Sequence, residues 1–221
     1  MKDSIICGAL SVIIGYLIGN MNTAYLLGRR SGIDVRRSGS GNAGASNAFI
    51  LMGKAAFAVT ALADIAKAWL SWKLARLLFP ALTLSGELAS SACVLGHMFP
   101  VFLHFRGGKG LACLGGLILA FSPKVFCIML TVFLIAAAVS GYIAVSTVAV
   151  AVCWPGAYML FGGYPAGTLM FCALAVPVVF RHRENFSRIR AGRELRLNFI
   201  FRRSEELERI GYGRAAEKNE E

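Results

Sequence analysis

Seven apolar runs, at residues 5–27, 55–79, 84–105, 111–121, 125–139, 142–161 and 165–180, fill most of this 221-residue chain. A helix needs roughly 20 apolar residues to cross a bilayer. The longer runs reach that length, and the shorter ones suit tilted, broken or half-spanning helices. The first run could pass for a signal peptide, but it is long, lacks a clear cleavage site and ends in Gly28-Arg29-Arg30. Hydrophobic residues make up 57% and charged residues 16%, against roughly 25% charged in an average soluble domain. That is too little polar surface to cover a water-soluble globule and too much hydrophobicity for a disordered chain. The expected fold is an all-α integral membrane protein with about seven transmembrane helices. Five or six crossings are the alternatives.

Lys and Arg outnumber Asp and Glu by 23 to 12, a formal charge of +11. In a soluble chain such an excess would suggest nucleic acid. Here the basic residues flank apolar runs, the pattern that sets membrane orientation, so no nucleic-acid partner is expected. Arg29, Arg30, Arg36, Arg37 and Lys54 flank the connection between the first two runs. Arg106 and Lys109 lie between the third and fourth, and the segment after Phe180 holds most of the rest. The other connections carry only Lys124. Seven crossings with an external N-terminus place every basic connection in the cytoplasm. A basic tail there also suits contact with anionic membrane lipid.

Three polar stretches fall on that same face. Residues 38–47 read Ser-Gly-Ser-Gly-Asn-Ala-Gly-Ala-Ser-Asn. The glycines let backbone approach a ligand and turn amide N–H groups towards an anion, and Ser40, Asn42 and Asn47 add hydrogen-bonding side chains. A capped flexible loop is the alternative. The fragment GxGxxG at 39–44 is no dinucleotide signature without a βαβ unit around it. Residues 106–110, Arg-Gly-Gly-Lys-Gly, combine bare backbone donors with the cations Arg106 and Lys109, a phosphate-cradle composition. A basic turn that only fixes topology is the alternative. In the third stretch, His182 and Asn185 stand three residues apart and share a face if helical; otherwise the stretch is a lipid-binding basic helix. Asp64 and Lys67 lie inside an apolar run, where charge is expensive, and can pair or face a wet cavity. None of the six cysteines forms CxxC, and the three histidines have no metal-ligand spacing. No metal site is expected.

Together these features describe an anion site at the membrane interface, beside lipid that suits an acyl chain. The stretches GSGNAGASN at 39–47, GHMFPVFLHFRGGKG at 96–110 and HRENFSR at 182–188 resemble, in order and separation, the membrane-embedded bacterial acyl-phosphate:glycerol-3-phosphate acyltransferase family. The resemblance runs to about Glu194. It implies a cytoplasm-facing site in the bacterial inner membrane and transfer of a fatty acyl group from acyl phosphate to the 1-hydroxyl of glycerol 3-phosphate. The products would be 1-acylglycerol 3-phosphate and phosphate. It implies no cofactor and no obligate protein partner. By the same resemblance Ser40, Gly41 and Asn42 would hold phosphate or donor groups, and Asn47 would support their loop. Lys109 with the Gly107 and Gly108 amides would neutralise a phosphate, His182 and Asn185 would contact glycerol 3-phosphate, and Thr147 would keep a hydroxyl where the family has serine. Ser40, Lys109, His182 and Asn185 are the expected catalytic residues.

The chain departs from that pattern at Ile50, where the family has arginine, and at Ala68, Cys113 and Ala144. An alkyl chain cannot replace a bidentate guanidinium. Arg36, Arg37 or Arg106 would then have to substitute, or the acceptor would be another polyol phosphate. A non-enzymatic carrier of an anionic solute is the remaining alternative. Residues 1–194 are expected to form the membrane-embedded acyltransferase domain and residues 195–221 a cytoplasmic polar tail.

Overall fold

The computed structural model describes residues 2–212, whose regular elements are all helices, with no strand among them. The helices are α1 (Lys2–Gly19), α2 (Thr23–Arg30), α3 (Ala45–Leu78), α4 (Ser85–Met98), α5 (Leu111–Phe121), α6 (Pro123–Ser140), α7 (Ile143–Leu160), α8 (Pro165–Arg181), α9 (Arg183–Arg190) and α10 (Arg203–Arg209). Short 3-10 turns cover Val101–Leu103 and Leu197–Ile200.

All seven apolar runs became helical, and six stretches are long and apolar enough to cross a membrane. The seventh, α5, has 11 residues and at 1.5 Å per residue spans about 16 Å, roughly half a hydrocarbon core. Local chemistry sets several boundaries. The Ser122 hydroxyl accepts from Val125 N ahead of Pro123 at the first position of α6, and Gly141 ends that helix with φ 76°. The first span is broken at residues 20–22 by a tertiary interaction: Lys67 Nζ donates to the carbonyls of Gly19 (3.3 Å) and Met21 (2.8 Å). Those carbonyls would otherwise be orphaned in a low-dielectric interior. Asn22 then caps α2 through Tyr25 N at 2.8 Å.

Apolar side chains such as Ile5, Leu62, Leu77, Val139, Leu160 and Val176 are exposed on the outer faces, as lipid contact requires. Lipid tails offer no hydrophobic gain from helix association, so close packing must hold the spans together. A Cβ at Gly15 would lie 1.9 Å from the Ala89 carbonyl oxygen, which shows how tightly α1 meets α4. At one end of the bundle, Phe121, Trp154, Tyr158 and Phe171 interlock with ring centroids 4.8–5.6 Å apart. The alternating helix directions send the 31–44 connection, the 99–110 connection, the α6–α7 turn and the end of α8 all to the opposite end. These carry the three polar stretches. Leu195, Phe199, Leu207 and Ile210 are buried there against Phe49 and Ile50, so residues 195–212 fold back onto this end of the bundle. Residues 213–221, the rest of the expected tail, lie outside the described residues.

Candidate active site

Asn47 organises the first polar stretch. Its Oδ1 accepts from Ser40 N at 2.8 Å, and its Nδ2 donates to the carbonyls of Val35 (2.8 Å) and Ser38 (3.1 Å). Gly39 has φ 59°, and a Cβ there would sit 2.3 Å from Asn47 Oδ1. Only glycine meets both demands. The buried Asn42 Oδ1 has no hydrogen-bond partner among the described residues. Outside this turn, Arg36 pairs with Asp34 at 2.8 Å. That hydrogen bond, chiefly, holds the Asp34 carboxyl down at about 2.

The second stretch is moulded around His97. Gly108 N donates to the His97 carbonyl at 3.0 Å, and a Cβ at Gly108 would lie 2.0 Å from His97 Nε2. Arg181 donates to the carbonyls of Gly107 (3.0 Å) and Gly108 (3.4 Å). The same turn delivers Lys109, whose Nζ donates to Asn185 Oδ1. Asn185 Nδ2 donates to Glu194 Oε1 at 2.6 Å, and Glu194 Oε2 accepts from Arg188 Nε at 2.7 Å. Lys109, Asn185, Glu194 and Arg188 therefore form one polar chain. Desolvation, reinforced by the Arg188 charge, lowers the Lys109 ammonium to about 8.

Ser40, Asn42, Lys109, Thr147, His182 and Asn185 line a single cavity of about 190 Å3. The N-termini of α3 and α5 also open on it through Gly44, Ala45, Gly110 and Leu111. Free amides and helix dipoles there favour an anion. His182 Nδ1 lies 2.7 Å from the Val178 carbonyl. Its proton is assigned to Nδ1 on that contact, leaving Nε2 as an acceptor. Thr147 Oγ1 donates to the Ile143 carbonyl at 2.8 Å. Asn47, Gly107 and Gly108 stand behind the cavity as supports rather than among its lining residues. Gly41 and Arg106 are exposed and do not line it. Neither do Arg36 and Arg37, so none of the three arginines considered as substitutes at position 50 reaches the cavity. Sequence reasoning missed Glu194, Arg193, Leu195, Ile210 and Tyr212, all of which line it. Arg193 and Glu194 close the basic 181–194 stretch without a role assigned to either, and the signal for the other three was a faint apolar spacing within a strongly charged segment.

Away from this polar end the cavity shares Ala61, Leu111, Ala112 and Phe133 with an apolar groove of about 200 Å3 between α3, α5 and α6. Asp64 and His97 also line the cavity, and Lys67 Nζ behind them is 2.7 Å from Asp64 Oδ1 and 3.0 Å from His97 Nδ1. Asp64, His97 and Cys113 converge closely enough to suggest a metal site. The Lys67 ammonium already neutralises Asp64, and a second cation so close would be repelled, so this donor set does not fit a metal.

Residues 9–192 match the family model described as glycerol-3-phosphate acyltransferase. A glycerol-3-phosphate acyltransferase of Clostridioides difficile is 35% identical over 190 residues, covering 84% of this chain and 93% of that one. One from Rubrobacter xylanophilus is 38% identical over 186 residues, covering 84% and 92%. Among solved structures, PlsY (YgiH), an integral membrane glycerol 3-phosphate acyltransferase in its glycerol 3-phosphate form, superposes with a TM-score of 0.79 at 29% identity. That match covers 87% of this chain and 96% of the other.

Proposed function

This chain belongs to the glycerol-3-phosphate acyltransferase family, and on that premise we propose that it transfers a fatty acyl group from an acyl phosphate to the 1-hydroxyl of glycerol 3-phosphate. One observation carries the reading: a cationic, amide-rich cavity opens directly into an apolar groove. The groove suits the acyl chain, and the polar end suits two phosphate groups. An acyl phosphate is already activated, so catalysis needs mainly alignment and charge stabilisation. The acceptor hydroxyl oxygen bonds to the acyl carbon, the carbon–oxygen bond to phosphate breaks, and the hydroxyl proton passes to a phosphate oxygen. Lys109 and the free amides at the N-terminus of α5, around Gly110 and Leu111, stabilise the departing phosphate, while His182 and Asn185 orient the acceptor. The concentration of basic residues at this end supports a cytoplasmic orientation in the bacterial inner membrane. The family is one of acyltransferases, which sets aside the anion-carrier alternative.

Purified protein supplied with palmitoyl phosphate and glycerol 3-phosphate should release phosphate and form the lysolipid; no turnover would refute the reading. In the same assay His182→Gln should raise the KM for glycerol 3-phosphate while kcat stays within about tenfold. A kcat loss of about 10²–10⁴, typical of a missing general base, would instead move the proton onto His182.

The Lys109 ammonium near 8 gives a pH prediction. Its charge is present below that value and is lost as pH rises through it, so kcat/KM should fall on the alkaline side. Lys109→Arg, if active, should push that limb upwards, because a guanidinium stays protonated. A pH–rate profile checks this; an unmoved limb would assign the titration to another group.

A further inference from the structure

We propose that Arg193, held in place by the C-terminal segment through Arg209, binds the acceptor's phosphate and sets selectivity for a phosphorylated acceptor. The inference rests on the acyltransferase reading and extends it to residues beyond the 9–192 family match. It starts from the commitments of the cations around the cavity. Lys109 is engaged with Asn185, Arg188 with Glu194, and Arg181 with the carbonyls of Gly107 and Gly108. Arg193 lines the cavity, is exposed, and has no ion-pair partner among the described residues. One cation already committed to the departing phosphate leaves the second phosphate in need of another.

The backbone at Arg193 is clamped from both sides. Arg209 donates to the carbonyl of Gly192, immediately before it, and to that of Glu194, immediately after it, the latter at 2.6 Å. Arg209 in turn pairs with the buried Glu206, whose Oε1 also accepts from Arg196 N at 2.7 Å. The segment that carries this clamp is seated on the first polar stretch. Phe199 lies 4.4 Å from Phe49, centroid to centroid, within the apolar cluster that includes Ile50, and Tyr212 Oη donates to the Gly39 carbonyl at 2.9 Å. Such a network holds a long side chain's root at the cavity mouth, where a guanidinium can meet phosphate bidentately. Ile50 thereby acts as a seat for the segment whose clamp holds Arg193.

The test uses the full chain in detergent, with turnover and calorimetric binding of glycerol 3-phosphate measured separately. Arg193→Ala should raise both the KM and the Kd for glycerol 3-phosphate about tenfold, a loss in keeping with a hydrogen bond to a charged group. The KM for palmitoyl phosphate should stay within twofold, and Arg193→Lys should recover part of the loss. Arg209→Ala should reproduce the same selective rise, with kcat at saturating acceptor retained, whereas the exposed control Arg202→Ala should not. An unchanged Kd in Arg193→Ala, or an equal rise in both KM values, overturns the proposal. If the wild-type protein binds glycerol 3-phosphate without turning over, the acyltransferase reading fails while the binding arm still decides the role of Arg193. If it does not bind glycerol 3-phosphate, both fail.

Discussion

Lys109→Ala should lower kcat/KM by about 10²–10³-fold, the range seen when one preorganised stabilising donor is removed from a water-poor site. Two losses combine. The departing phosphate loses the cation of the 107–110 turn, and Asn185 Oδ1 loses its donor. Because Asn185 also bonds Glu194, which bonds Arg188, the polar chain along the acceptor side is left without its first member. Most of the effect should fall on kcat, since charge builds on phosphate mainly as the carbon–oxygen bond breaks. Steady-state phosphate release with both substrates varied checks the split. A loss confined to KM would mean that Lys109 binds ground state and transition state equally.

Lys67→Met should destabilise the folded protein by about 3–5 kcal/mol, as is typical when one partner of a buried ion pair is deleted. It would leave the Asp64 carboxylate, 2% exposed, without the Lys67 ammonium and with only the His97 ring, 3.4 Å from its Oδ1, beside it. The carbonyls of Gly19 and Met21 would also lose their donor, so the join between α1 and α2 should loosen. Adding Asp64→Leu to Lys67→Met should recover part of the loss by removing the stranded charge, but not the part owed to the two carbonyls. Reversible unfolding in mixed micelles measures both. Full recovery in the double variant would show that the carbonyl contacts contribute nothing.

Most of the architecture was legible because a bilayer makes a simple demand. Every run of apolar residues became a helix, and the short 111–121 run became a short one. The break at residues 20–22 was not legible, because its cause is Lys67, more than forty positions away. Gly53 was similarly silent: it turns with φ 84° and kinks α3 just ahead of the 55–79 run. In the site, glycine density and amide side chains pointed to residues 38–47, and the turn at 106–110 announced itself by charge. Arg106 misled because a basic residue beside glycine looks the same whether it faces a cavity or solvent. Glu194 was hidden for a geometric reason, since nothing in a nine-residue separation marks it as the partner of Asn185. Between Leu195 and Ile210, the many charges masked four apolar residues that pack inward. Ile50 looked like a missing ligand when read alone; beside Phe199 it is part of an apolar seat.

Helix α5 ends and α6 begins at Ser122, yet α5 is seven residues shorter, 11 against 18. At 1.5 Å per residue, α5 is therefore about 10 Å shorter than α6. On the acyltransferase reading proposed above, the short helix would bring the Lys109 turn close to the apolar groove beside α5, so that the water-soluble reactant meets the greasy one without the latter leaving its leaflet. The single-tailed product would then form within its own leaflet, ready to slip sideways among its neighbours.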